Sequence, residues 1–181
     1  GIKAFASSTN GAPIVYSLVD DASGRFAIDT ATGVVTVVDP TIDYESTGPG
    51  HSYSIIVQAT DGALTVARGF SIAIADVAPS VAVDTNAAAG VGGTVAEGDT
   101  AGTLVGITAA ATDINGGLVT YSLSDSAGGL FQIDPSTGVV SVSARGATGI
   151  DYETTGPGHV YSITVDASDG TLSSSQTFAI A

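Results

Sequence analysis

The residues best equipped for chemistry in this sequence are acids, and they fall in short clusters. Asp43 and Glu45 flank Tyr44, and the same triplet returns as Asp151, Tyr152 and Glu153. Asp76 lies beyond the first triplet, Asp113 and Asn115 stand two apart, and Asp169 precedes a glycine. Carboxylates and amides are hard oxygen donors, and calcium takes roughly six to eight such ligands in flexible geometry. Zinc would call for His and Cys; Cys is absent, and His51 and His159 each follow a Gly-Pro-Gly turn. Two carboxylates about 5 Å apart at an effective dielectric near 20 repel by roughly 3 kcal/mol. An acidic cluster is therefore expected to be splayed without a cation and stiff with one. A lone Asp-Gly, at Asp61 or Asp169, can equally serve only to cap a turn.

The elements that position these acids are repeated. Residues 42–62, IDYESTGPGHSYSIIVQATDG, return at 150–170 as IDYETTGPGHVYSITVDASDG. Gly1 aligns with Gly106 at an offset of 105 residues, and from Ile42 on Ile150 the offset is 108. Three extra residues therefore enter the second copy around 145–149, where a surface loop is expected. Two tandem domains follow, 1–79 and 80–181. The first has no counterpart of Ser80 to Val105, and is expected to lack its opening strand or strands, as in a window cut from a longer array.

Within each copy, large side chains alternate with polar ones. The period of two puts Tyr161, Ile163, Val165 and Ala167 on one face of a strand. Alternation and turn residues predict strands at 119–123, 130–133, 138–142, 160–167 and 172–180, with 94–97 and 103–108 supplying two more. No stretch has helical periodicity with caps, so the class is all-β, a pair of seven-stranded Greek-key sandwiches of immunoglobulin-like size. Phe26, Ile28, Tyr53, Ile55, Val57, Phe70 and Ile72 are the expected core of the first copy. Phe131, Ile133, Tyr161, Ile163, Val165, Phe178 and Ile180 match them in the second. The short connection at 74–79 is expected to set the sandwiches end to end. That would bring Asp43, Glu45, Asp76, Asp113, Asn115 and Asp169 to one junction.

Composition sets outer limits. Four Lys and Arg against 18 Asp and Glu give a formal charge of −14, which argues against nucleic acid or anionic lipid as partners. There is no disulfide framework and no cysteine nucleophile. The apolar runs are too short to span a membrane.

The order of motifs resembles the cadherin repeat over essentially the whole chain. The residues that carry the likeness are AxDxN before YSL, FxIDxxTGxV, IDYE, YxIxVxAxDG and an Asp before a Pro. The acidic, cysteine-free style, rich in Gly, Ala, Thr and Ser, is similar to the cadherin-like repeats of large bacterial RTX-type and biofilm adhesins. That resemblance implies calcium between successive repeats, held by Asp43, Glu45, Asp76, Asp113, Asn115 and Asp169. It also implies a second, half-built site of Glu97, Asp151 and Glu153 awaiting a further repeat. The ADVAP connection has fewer acids than the family's usual DxNDNxP, so fewer ions are expected. Ser8 replaces an Asp beside Asn10 and Asp61, which weakens the corresponding earlier site.

The function implied is a calcium-rigidified extender or adhesion segment, secreted or at the cell surface, in cell adhesion and biofilm formation. Its partners would be neighbouring repeats, with homophilic contacts or surface and matrix polysaccharide as further possibilities. A calcium-dependent polysaccharide-binding module is the rival reading. It must manage with few free aromatic rings, Tyr44, Tyr152 and Phe5, and no Trp. No Gly-x-Ser-x-Gly nucleophile motif occurs, and an enzyme is not expected.

Overall fold

A computed structural model describes residues 1–86, 92–114 and 117–181. The chain divides into two compact units, Gly1–Asp76 and Val77–Ala181.

In the first unit, β1 (Val15–Asp20), β4 (Ser52–Thr60) and β5 (Thr65–Ala73) form an antiparallel sheet in the order β1-β4-β5. The short strands β2 (Phe26–Ile28) and β3 (Val35–Val37) form a hairpin, to which Lys3 adds a bridge with Val34. Alternation along β4 buries Ile55, Val57 and Ala59, which pack with Ala4, Tyr16 and Phe26. The hairpin turn is held by Asp29, whose Oδ1 accepts the Ala31 and Thr32 N–H groups. Gly33 closes it at φ 71°. A Cβ there would lie 2.6 Å from the Ala4 carbonyl oxygen, so glycine is needed for both conformation and space.

The described residues of the second unit form seven strands: β6 (Val83–Asp84), β7 (Leu104–Ala110), β8 (Thr120–Asp125), β9 (Phe131–Ile133), β10 (Val139–Val142), β11 (Tyr161–Ser168) and β12 (Ser173–Ile180). One sheet runs β6-β7-β10-β9 and the other β12-β11-β8. Val105, Ile107, Val140, Val142, Ile163, Val165 and Ile180 fill the space between them. The architecture is the all-β sandwich expected.

Three sequence expectations need correction. Residues 94–97 do not form a strand. Gly93 makes a parallel bridge to Ile180, and the chain then turns through Gly98 at φ 86°, with Asp99 Oδ2 accepting the Ala96 N–H. The strand that makes up the seven is β6, upstream of it. The three-residue insertion holds a single helical turn, α1 (Gly146–Gly149), and Glu45–Thr47 forms a 3-10 turn. Neither is long enough to leave a 3.6-residue period in the sequence. Nor is the insertion all surface: Gly146 is buried, and a Cβ there would meet the Leu130 carbonyl at 2.1 Å.

Each unit also uses a tyrosine that the core expectation left out. Tyr16 Oη accepts the Ala6 N–H at 2.9 Å, and Tyr121 Oη accepts the Ala111 N–H at 2.9 Å. The ring packs in the core and its hydroxyl satisfies a peptide group near the start of the preceding loop.

Candidate metal centre

In the second unit, Glu97, Asp151 and Glu153 each place a carboxylate oxygen within 4.8 Å of the other two. Two sequence-distant segments create this meeting. The bridge at Gly93 and the hydrogen bond from Val95 N–H to the Ala181 carbonyl deliver Glu97 to the sandwich end. Asp151 follows buried Ile150, and Asp151 N–H donates to Tyr161 Oη at 3.3 Å. The Asp151 side chain then folds the acidic turn on itself, with Oδ1 accepting Glu153 N–H at 3.0 Å and Thr154 N–H at 3.3 Å. Glu97 and Asp151 border a cleft of about 330 Å³ lined also by Tyr152, Thr155 and His159.

The histidine after Gly-Pro-Gly has a definite place there. His159 stacks on Tyr152 with ring centroids 3.7 Å apart and planes 8° from parallel. Its Nδ1 lies 2.9 Å from the Tyr152 carbonyl and 3.1 Å from Thr155 Oγ1. Thr155 Oγ1 itself donates to the Tyr152 carbonyl at 2.7 Å. Both neighbours of Nδ1 are thus acceptors, which assigns the proton to Nδ1 in the neutral ring. The stack requires a left-handed backbone at His159, φ 48°, an uncommon conformation for a non-glycine residue. The sequence reading as a surface turn histidine missed this pairing, although the recurrence of Tyr-x-x-Thr and Gly-Pro-Gly-His in both copies was a signal for it.

The first unit repeats the arrangement. Tyr44 and His51 stack at 3.7 Å and 11°, and His51 Nδ1 is 3.0 Å from the Tyr44 carbonyl. Asp43 Oδ1 accepts Glu45 N–H at 3.0 Å. The Asp43 carboxyl is held below the usual carboxylate range, chiefly by a hydrogen bond from the Glu45 side chain, against a smaller effect of burial. Glu45 and Asp76 also have carboxylate oxygens within 4.8 Å of one another. Asp76 Oδ2 is buried without a hydrogen-bond partner among the described residues.

The other sequence candidates lie in the second unit. Asp113 is buried, at 8% exposure. Asp169 Oδ1 accepts the Thr171 and Leu172 N–H groups at 2.7 Å each, while its Oδ2 is buried with no hydrogen bond among the described residues. Asp169 therefore caps its turn with one oxygen only. Asn115 lies outside the described residues. In the first unit the corresponding Asp61 Oδ2 accepts from Ser8 Oγ at 2.8 Å, and Asn10 Oδ1 accepts the Ala12 N–H at 2.9 Å.

A hard cation fits these residues. Every donor is oxygen, the three carboxylates of the second unit already converge, and buried carboxylate oxygens at Asp76 and Asp169 have no hydrogen-bond partner among the described residues to offset their desolvation.

Residues 4–71 match the Cadherin domain family. Among curated proteins, the chain is 31% identical over 164 residues to Protocadherin Fat 1 of Homo sapiens, covering 87% of this chain and 3% of that protein. It is 32% identical over 169 residues to Cadherin-23 of Rattus norvegicus, covering 89% of this chain and 5% of that protein. The chain thus spans only a small fraction of the curated relatives it matches. Among solved structures, the crystal structure of human Protocadherin-24 EC1-2 superposes with a TM-score of 0.50 at 20% identity, covering 100% of this chain and 88% of that one, a likeness of fold. The domain match and the shared fold support cadherin-like repeats.

Proposed function

We propose that this chain is a calcium-binding pair of cadherin-like repeats from an extracellular adhesion protein, without catalytic activity. The observation that carries the reading is the convergence of Glu97, Asp151 and Glu153 to within 4.8 Å, with oxygen the only donor type. In this reading Asp43, Glu45 and Asp76 of the first unit, and Asp113, Asn115 and Asp169 of the second, are also calcium ligands. Bound calcium supplies the positive charge that turns carboxylate repulsion into coordination. The protein's part is to hold the acids ready through the Asx bonds of Asp43 and Asp151 and the Tyr-His stacks behind them.

An ion that binds the folded form stabilises it by mass action. The function is accordingly mechanical: a calcium-rigidified extender whose partners are neighbouring repeats and, through them, like molecules on another cell. The acidic, cysteine-free composition rich in Gly and Ala supports placing it in a bacterial biofilm adhesin of the RTX type.

A second reading, calcium-dependent binding of a surface polysaccharide, draws on Tyr152. This residue is 57% exposed, its ring is stacked on His159, and it borders the same cleft as Glu97 and Asp151.

Calorimetric titration with calcium, with magnesium as the control, tests the first reading. Saturable calcium heat that disappears in the Glu97→Gln, Asp151→Asn, Glu153→Gln triple variant for one class of sites supports it. An unchanged isotherm in that variant refutes the assignment. Calcium-dependent retention on polysaccharide that is lost in Tyr152→Ala would favour the second reading.

A further inference from the structure

One sheet face is finished differently in the two units. In the second, the outward side of β8, β11 and β12 carries hydroxyls and acids that bond one another across the strands. Thr164 Oγ1 lies 3.2 Å from Thr177 Oγ1, and Ser124 Oγ donates to Asp166 Oδ1 at 3.0 Å. A sheet face turned to water is ordinarily polar in this way.

The first unit has neither pair. Ile56 and Gly69 stand at the positions of Thr164 and Thr177, and Val19 and Gln58 at those of Ser124 and Asp166. Burial of Ile55, Val57 and Ala59 turns Ile56 and Gln58 outward, beside their cross-strand partners Gly69 and Ala67. Ile56 is 37% exposed, and Val19, in the bulge of β1 next to it, is 61% exposed. Ala67 replaces Ser175, so every one of these differences removes a hydroxyl or a carboxylate.

Gly69 has no purpose inside its own unit. Its backbone is not left-handed, and the nearest atom to an added Cβ is the Ile55 carbonyl oxygen at 3.9 Å. The second unit carries a threonine there. Glycine within a strand weakens it, and it recurs where another backbone or a ligand comes close. Ile56 is thus a knob directly beside a hole, which is what a self-complementary surface requires. Charge points to the same occupant. A chain of net charge −14 repels its own copies wherever carboxylates meet. Ile56, Gln58, Ala67, Gly69 and Val19 carry none, and Asp20 at the margin has its Oδ1 engaged by the Ala22 N–H at 2.9 Å.

We propose that the outward face of β4 and β5 in the first unit docks on the same face of a second copy of this chain. A two-fold axis along the strands, between β4 and β5, sets Ile56 of each copy over Gly69 of the other and Gln58 over Ala67. The overlap of two strands covers roughly 200–300 Å² per copy, well under the about 800 Å² per partner of a stable complex. The contact is therefore weak, and its signature belongs at millimolar concentration.

The test is amide NMR and sedimentation of the whole chain from about 10 μM to about 1 mM, concentrations chosen to bracket a weak contact. The expected result is dimerisation with concentration-dependent shifts at Ile56, Gln58, Ala67 and Gly69. Association should tighten with added salt, which screens the repulsion of the two acidic chains. Gly69→Thr fills the hole and should weaken dimerisation at least tenfold without lowering the thermal transition of the first unit. Ile56→Thr, Gly69→Thr together restore the pair found in the second unit and should abolish it; unchanged amide shifts elsewhere check that the variant is folded. None of this depends on calcium, so the same results are expected in chelator, and their failure leaves the calcium reading standing. A chain that stays monomeric at millimolar concentration overturns the proposal and leaves the face to a partner of another kind. Dimerisation that Gly69→Thr does not weaken, or that salt dissolves, overturns it as well.

Discussion

Glu97→Gln should change stability with opposite sign in chelator and in calcium. Its carboxylate faces two others, those of Asp151 and Glu153, at 4.8 Å or less. Even at the dielectric of water, each such pair repels by about 0.9 kcal/mol. Screening at physiological ionic strength reduces the two together to roughly 1 kcal/mol. Without calcium, the neutral amide relieves this repulsion. The second unit should then gain roughly 1 kcal/mol, or about 5 °C in its thermal transition. With calcium at a hundred times its dissociation constant, the parent gains about 2.7 kcal/mol from binding. A hundredfold loss of affinity on removing one of three acids leaves the variant only about 0.4 kcal/mol of that gain. The order of stability therefore reverses, the parent being ahead by roughly 1 kcal/mol. Scanning calorimetry, with hydrogen exchange of the β11 amides to identify the transition of the second unit, reads both arms. A variant destabilised equally in chelator and in calcium would mean that Glu97 matters for packing, and the electrostatic reasoning would fail.

Other consequences concern the scaffold. Gly138→Ala places a Cβ 2.0 Å from the Ala109 carbonyl oxygen at φ 70°. It should cost the second unit more than the roughly 1–2 kcal/mol of left-handed backbone strain alone, measured as a lower urea midpoint. Tyr121→Phe strands the Ala111 N–H now bonded to the hydroxyl, for a loss of about 1–3 kcal/mol by the same assay. Asp134 is held down to about 2 from its ordinary 3.8, first by the Ser136 hydroxyl and then by the Thr137 and Ser136 N–H groups. Its folded-state value is the lower one, so its stabilising contribution is complete above about pH 4 and is lost as pH falls towards 2. Asp134→Asn should therefore flatten the acid limb of the stability profile of the second unit over that window.

Much of this was legible from residues, and the exceptions have physical causes. Alternation in 160–167 and 172–180 marks β11 and β12 because Ile163, Val165 and Ala167 bury one face of β11, and the face of β12 that ends at buried Ile180 is less exposed than the other. The segment 94–97 reads as a strand from Thr94 and Val95, yet the tertiary context gives it only a bridge before Gly98 turns the chain. Residues 83–84 are too short to carry a pattern, and their strand character comes from the free edge of β7. At the site, the triplets Asp43-Tyr44-Glu45 and Asp151-Tyr152-Glu153 declare themselves by repetition. The grouping of Glu97 with the second triplet came from the family resemblance, because 54 residues separate Glu97 from Asp151. The Tyr-His stacks could not be read from residue type alone. They depend on the left-handed conformations of His51 and His159, which Gly-Pro-Gly permits without announcing.

The most direct test of the central claim is a site-resolved calcium titration of the chain by amide NMR. The account predicts saturable shifts concentrated at Glu97 and at residues 151–155, with His159 following through its bond to the Tyr152 carbonyl. Calcium that leaves those amides unmoved while the protein stays folded would contradict it.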